Sequence, residues 1–179
     1  MKTKFLLPCL LGFLCAACTT PTDNSRTAVP ANKTVNVVFN NPEKFTDLKS
    51  SSMDSEKDRE YLLEQLKEYI LERAPDRMAD GQTLDITIND VDMAGDYEPW
   101  FGARVQDIRI IKDIYPPRID LNFKLTDADG KVSAEGTRQL RDLNFMMGAS
   151  SISSNDTLRH EKTLLNNWFS TEFSATNKK

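Results

Sequence analysis

Apolar and polar side chains alternate in several stretches of this chain and recur every three or four residues in others. Val35, Val37 and Phe39 share one face of a strand that Asn40-Asn41-Pro42 ends. A loop from Glu43 to Asp54 follows, with Phe45 and Leu48 placed to plug a core. Ser55, with Asp58 three residues on, resembles a capping box and predicts a helix start. Leu62, Leu66, Tyr69 and Ile70 then form one apolar stripe running to about Arg73, and Pro75 and Gly81 bracket the exit.

Leu84, Ile86 and Ile88 alternate with Asp85, Thr87 and Asn89, which predicts a half-buried strand. The apolar parity then switches to Val91 and Met93, so the strand must bulge near Asn89-Asp90 or stop there. A loop from Ala94 to Gly102 comes next. Val105 to Tyr115 predicts a third strand, with Ile108, Ile110 and Ile114 in phase, until Pro116-Pro117 interrupts it. Ile119, Leu121, Phe123 and Leu125 give the cleanest alternation. Asp127-Ala128-Asp129-Gly130 turns the chain, and Val132 to Leu140 returns it as a hairpin. After a Met- and Ser-rich loop, Phe145 to Ser154, a last helix is expected from about Asn155 to Phe173. Leu158, Leu165, Trp168, Phe169 and Phe173 line its apolar side. The order of elements predicts an α+β two-layer sandwich: a mostly antiparallel sheet of four to five strands with two amphipathic helices on one face.

The opening residues have a different character. Lys2 and Lys4 precede an uncharged apolar run, Phe5 to Ala17, and the small pair Ala16-Ala17 stands directly before Cys18. The run is too short for a membrane span, which needs roughly 20 residues, but suits the core of an export signal. Residues 1–17 are therefore expected to be a signal peptide. One reading has a lipoprotein peptidase cut before Cys18, whose thiol then carries lipid. The bacterial lipobox usually places Leu three residues before that Cys, where this chain has Cys15. The other reading has an ordinary signal peptidase cut after Ala17 and release a soluble periplasmic protein. Residues 18–33, rich in Thr, Pro, Asn and Ala, cannot bury enough apolar surface to fold and suit a disordered tether. Thr19 stands where enteric sorting would require Asp for retention at the inner membrane, so the outer membrane, facing the periplasm, is the expected destination. Residues 34–175 then form a single domain.

Composition narrows the chemistry. Cys9, Cys15 and Cys18 are the three cysteines, all ahead of the domain, which must stand on its hydrophobic core without disulfide, thiol nucleophile or thiolate ligand. The chain has 23 basic and 27 acidic residues, a net charge of −4, and loses two positive charges with Lys2 and Lys4. No basic block survives, which argues against nucleic acid, whose binding rests on phosphate neutralisation.

Taken together, these stretches resemble a family of uncharacterised proteobacterial secreted proteins, some of them lipoproteins, known only as a domain of unknown function. Val37-Val38-Phe39 with Pro42 to Asp47, Pro117 to Leu121 with Leu125 to Val132, and Leu140 to Leu143 with Leu158 to Lys162 and Trp168-Phe169 carry the resemblance. They cover about Thr34 to Phe173. The resemblance implies an envelope location and a single domain, and no activity.

Candidate sites are sparse. His160 is the sole histidine, flanked by Arg159 and Glu161, and reads as a helix-surface residue or a partner of Glu161 rather than a catalytic base. Asp127 to Gly130 lacks the spacing of a calcium loop, which needs Gly at its sixth place and Glu at its twelfth; it reads as a turn. Asp85, Asp90, Asp92, Asp96 and Glu98 cluster closely enough to allow general acid/base chemistry, although charged strand ends are ordinary. Arg138 shares parity with Val132, Ala134 and Leu140, so it should point to the covered side of the sheet, where Asp90 is a candidate partner in a buried ion pair. Tyr97, Trp100 and Phe101 lie in one loop and either plug the core or present a contact surface. No metal ligand set, phosphate loop or cofactor motif is present. The expected function is a non-enzymatic, lipid-tethered binding module facing the periplasm, its partner an envelope protein, glycan or lipid. The rival is a carboxylate-dependent hydrolase of cell-wall polymers, with Asp92, Asp96 or Glu98 as acid or base.

Overall fold

The computed structural model describes residues 32–51, 55–98, 108–148 and 150–173. Strands β1 (Thr34–Phe39), β2 (Thr83–Asp92), β3 (Arg118–Thr126) and β4 (Val132–Arg141) form one sheet in that spatial order. Helix α1 (Glu56–Arg73) connects β1 to β2, and helix α2 (Arg159–Glu172) closes the fold. β1 runs parallel to β2, as a helical crossover permits, while β2–β3 and β3–β4 are antiparallel. The α+β sandwich expected from the pattern is what the chain adopts.

Leu84, Ile86, Ile88, Ile119, Leu121 and Leu125 are buried between the sheet and the stripes Leu62, Leu66, Ile70 of α1 and Leu165, Trp168, Phe169 of α2. Phe123 meets Trp168 and Phe173 edge to face, with ring centroids 5.5 and 5.8 Å apart. Each such fully buried side chain contributes on the order of 1.5–3 kcal/mol. The opposite face of the sheet is polar and cross-linked by side chains: Asn36 Nδ2 donates to Asp85 Oδ1 at 2.7 Å, and Thr137 Oγ1 donates to Asn122 Oδ1 at 2.8 Å. Among the described residues no helix is long and apolar enough to cross a membrane.

The parity switch in β2 is a bulge, with the β2–β3 register shifting between Ile88 and Asp90. Asp127 to Gly130 is a turn: Gly130 N donates to Asp127 O at 3.0 Å, and Asp127 Oδ1 accepts from Lys131 N at 2.9 Å. Several expectations need correction. Ser55 is the N-cap of α1, but its side chain makes no capping hydrogen bond. α2 begins at Arg159 rather than Asn155, because Asp156 Oδ1 takes the Leu158 N–H at 2.8 Å and holds the preceding residues in turns. The third predicted strand does not form over its described part. Ile110 pairs only with Asp96, and Ile108 and Ile114 are solvent-exposed. A turn at Lys112–Tyr115, followed by two prolines that lack N–H donors, leaves no ladder to extend. Residues 105–107 of that prediction lie outside the described residues.

Candidate functional site

After β1 the chain makes a short 3-10 turn, Pro42–Lys44, and returns to the same sheet edge. Asp47 N donates to Val91 O and Met93 N donates to Asp47 O, both at 3.0 Å, so Asp47 continues the edge that β1 has left. Past β2, Gly95 N donates to Tyr115 O at 3.0 Å, and Asp96 and Ile110 exchange backbone hydrogen bonds of 3.1 and 2.8 Å. These segments and the ends of β3 and β4 enclose a cleft of about 300 Å³, lined by Thr46, Asp47, Lys49, Asp92, Asp96, Tyr115, Arg118 and Arg141 among others.

Arg109 fastens one wall. Its Nη1 donates to Asp47 Oδ2 and to Gly95 O, both at 2.9 Å; its Nη2 donates to Asp47 Oδ1 at 3.1 Å and Lys49 O at 3.0 Å. A bidentate guanidinium–carboxylate pair of this kind fixes orientation as well as charge. Burial alone would ease the proton off Arg109, but its hydrogen bonds with Asp47 outweigh that and push its pKa up. The Tyr97 ring lies 4.7 Å from the same guanidinium and 5.6 Å from Lys49 Nζ, within cation–π range of both.

Glu161 supports the wall from beneath. It is 1% exposed, and its Oε1 accepts the Ala94 N–H at 2.7 Å. Burial pushes its carboxyl up to about 7, against the pull of that hydrogen bond. The Ala94–Gly95 stretch is thus gripped by Glu161 on its N–H and by Arg109 on its carbonyl.

The sheet end supplies the remaining charges. Arg118 and Arg141 stand directly opposite one another across β3 and β4. Arg118 Nη2 donates to Asp90 Oδ2 at 2.9 Å and Thr46 Oγ1 at 3.1 Å, and lies 3.8 Å from Asp92. Burial raises the Asp90 pKa, but hydrogen bonds from Thr46 and then Arg118 hold it below the ordinary value. Asp92 is shifted the other way, upward, by burial and by the neighbouring Asp47 and Asp90 charges, with Arg118 and Arg109 opposing.

The residues singled out from sequence are distributed as follows. Asp90 and Arg138 do not pair. The bulge turns Asp90 to the uncovered face, onto Thr46 and Arg118. Arg138 does point to the helical side, as its parity requires, but its Nε and Nη2 donate to the Glu172 carboxylate of α2, both at 2.7 Å, and its guanidinium lies 5.0 Å from the Phe123 ring. Asp92 and Asp96 share the cleft; Asp85 is away from it, on Asn36. Glu98 accepts from Lys112 Nζ at 2.6 and 2.7 Å and from Tyr115 Oη at 3.1 Å, and hydrogen bonds with Lys112 hold its pKa down. Tyr97 is half-buried on Arg109 and Lys49; Trp100 and Phe101 lie outside the described residues. His160 meets Phe145 edge-on at 4.9 Å, and burial, helped by Arg159, lowers its pKa.

Asp47, Arg109 and Glu161 escaped the sequence reading. Only Glu161 left a legible signal: it falls three residues after Leu158 and four before Leu165, on the apolar stripe of its helix.

The fold and the cleft define a small α+β domain with one polar sheet face that no helix among the described residues covers and a charged recess at the sheet's end. The chain belongs to the family described as "Protein of unknown function (DUF3016)", whose model matches residues 33–171. No curated protein matches it.

Proposed function

We propose that this chain is a lipid-tethered, periplasm-facing module of the bacterial envelope that binds a small ligand or partner group in the charged cleft. The observation that carries the binding reading is a hydrogen-bonded wall beside two unpaired charges: Asp47, Arg109 and Glu161 are spent holding the Ala94–Gly95 backbone, while Arg141 and Asp96 line the recess with no ion-pair partner among the described residues. Rigid walls with a few convergent polar groups are what a binding recess needs. Tyr97, on that wall, would extend the contact surface, and Trp100 and Phe101, which follow it in sequence, are proposed as further contact residues. The tether rests on the basic start, the apolar run and Ala16-Ala17 before Cys18.

Expression of the full chain in a bacterial host with labelled palmitate tests the tether. Label on the wild type and none on Cys18→Ser is expected. An unlabelled wild type that retains Met1 contradicts export and lipidation together. A second reading has one observation behind it. Asp92, with its pKa pushed up by burial, lines an open cleft beside Asp96, as the acid of a cell-wall hydrolase would. Glu98 fits that role poorly, since Lys112 holds it ionised.

A further inference from the structure

The cleft carries one carboxylate and one guanidinium that have no ion-pair partner among the described residues. Asp96 uses one oxygen to accept the Tyr97 N–H at 2.7 Å, and no cation lies within ion-pair distance of it among the described residues. The side chain of Arg141, which is exposed to solvent, has neither hydrogen bond nor ion pair among them. The two line the same recess yet do not pair with each other. Arg141 also stands directly across the ladder from Arg118, and like charges placed there repel. Arg118 itself keeps a buried Nε with no acceptor. An anion at this end would relieve the repulsion and take donors that lie idle. Asp96 lines the same recess unpaired and would repel a simple anion, and Asp92 also lines it but lies 3.8 Å from Arg118 Nη2.

We infer that the cleft binds a small zwitterion, a peptide with a free ammonium and a free carboxylate, its carboxylate on Arg141 and its ammonium on Asp96. A lone oxyanion satisfies half the site and confronts the other half. A lone cation does the reverse. A ligand with both groups neutralises each unpaired charge, and the planar guanidinium suits a carboxylate in two-pronged contact. The recess, at about 300 Å³, has room for more than a single amino acid. The inference rests on the binding reading above and names the chemistry of that ligand.

Titration calorimetry with the full chain in detergent tests it, using four probes: alanyl-alanine, its N-acetyl form, its C-terminal amide, and inorganic phosphate. Alanyl-alanine is expected to bind, and each blocked form to bind roughly tenfold more weakly or worse, the loss of one charged hydrogen bond. Arg141→Gln should abolish the advantage of the free dipeptide over its amide. Asp96→Asn, which keeps the acceptor for Tyr97 N–H, should abolish its advantage over the acetylated form. Equal affinity for free and blocked dipeptides, or phosphate binding as tightly as the dipeptide, overturns the assignment. So does a dipeptide that gives no heat. If envelope fragments still perturb the cleft in that case, only the ligand class falls and the binding reading stands.

Discussion

Glu161 occupies a place on α2 that the helix would ordinarily give to leucine, between Leu158 and Leu165 on the covered stripe. Its carboxyl accepts the Ala94 N–H and stays protonated to about pH 7, above its ordinary value of 4.5, because burial disfavours the charge. The sign follows. Between about 4.5 and 7 the folded chain holds a proton that the unfolded chain has lost, so this residue's contribution falls as pH rises, by roughly 3 kcal/mol in all. Glu161→Gln keeps the acceptor and removes the charge. Thermal melts of both proteins at pH 4 and pH 8 should agree at the acid end and favour the variant at the alkaline end. A constant difference across that range would show that the wild-type residue does not titrate there. The stripe position is the one signal by which the sequence could have marked Glu161. Asp47 and Arg109 left no such trace, because their pairing joins residues 62 apart through loops that carry no periodicity. The Asp90–Arg138 pairing failed for a related reason: parity placed Arg138 on the correct face, but the bulge reversed Asp90 and the helix supplied Glu172.

At the scale of elements, apolar alternation matches a strand wherever the segment has a neighbour on a ladder. β1, β2 and β3 follow their apolar parity and the β2 bulge follows its break, while β4 follows from Ala134 on and leaves Val132 exposed beyond a second register shift at Leu125–Thr126. The same alternation at Ile108, Ile110 and Ile114 misled, since a pattern cannot reveal that prolines and a turn remove the partner. That segment serves instead to brace the cleft wall, and it does so by closing tightly on Gly95. Its φ is +82°, and a Cβ there would lie 2.7 Å from Ile110 O and 2.6 Å from Ile111 Cδ1. Gly95→Ala therefore meets both a left-handed backbone and a backbone clash, at a combined cost of roughly 2 kcal/mol or more. Chemical denaturation should show the loss as a lower midpoint with an unchanged slope. A midpoint equal to the wild type's would mean that this wall is not held as described.

For the whole molecule, the helical crossover from β1 to β2 and the β3–β4 hairpin put both helices on one side of the sheet and leave the other side polar. The cleft sits where the sheet ends and the chain's irregular segments converge, and for that reason its membership was the least legible part of the sequence. Asp92 and Asp96 were visible as acids, while the cations facing them come from strands and loops far along the chain. The central claim is that this recess is where the protein meets its ligand. Amide shifts of the isotope-labelled full chain, followed by NMR while soluble envelope fragments are added, test that claim directly. Perturbations confined to Thr46–Lys49, Asp92–Asp96, Ile114–Arg118 and Arg141 are predicted. Perturbations gathered instead around Phe145 and His160, or none at saturating fragment, would contradict it.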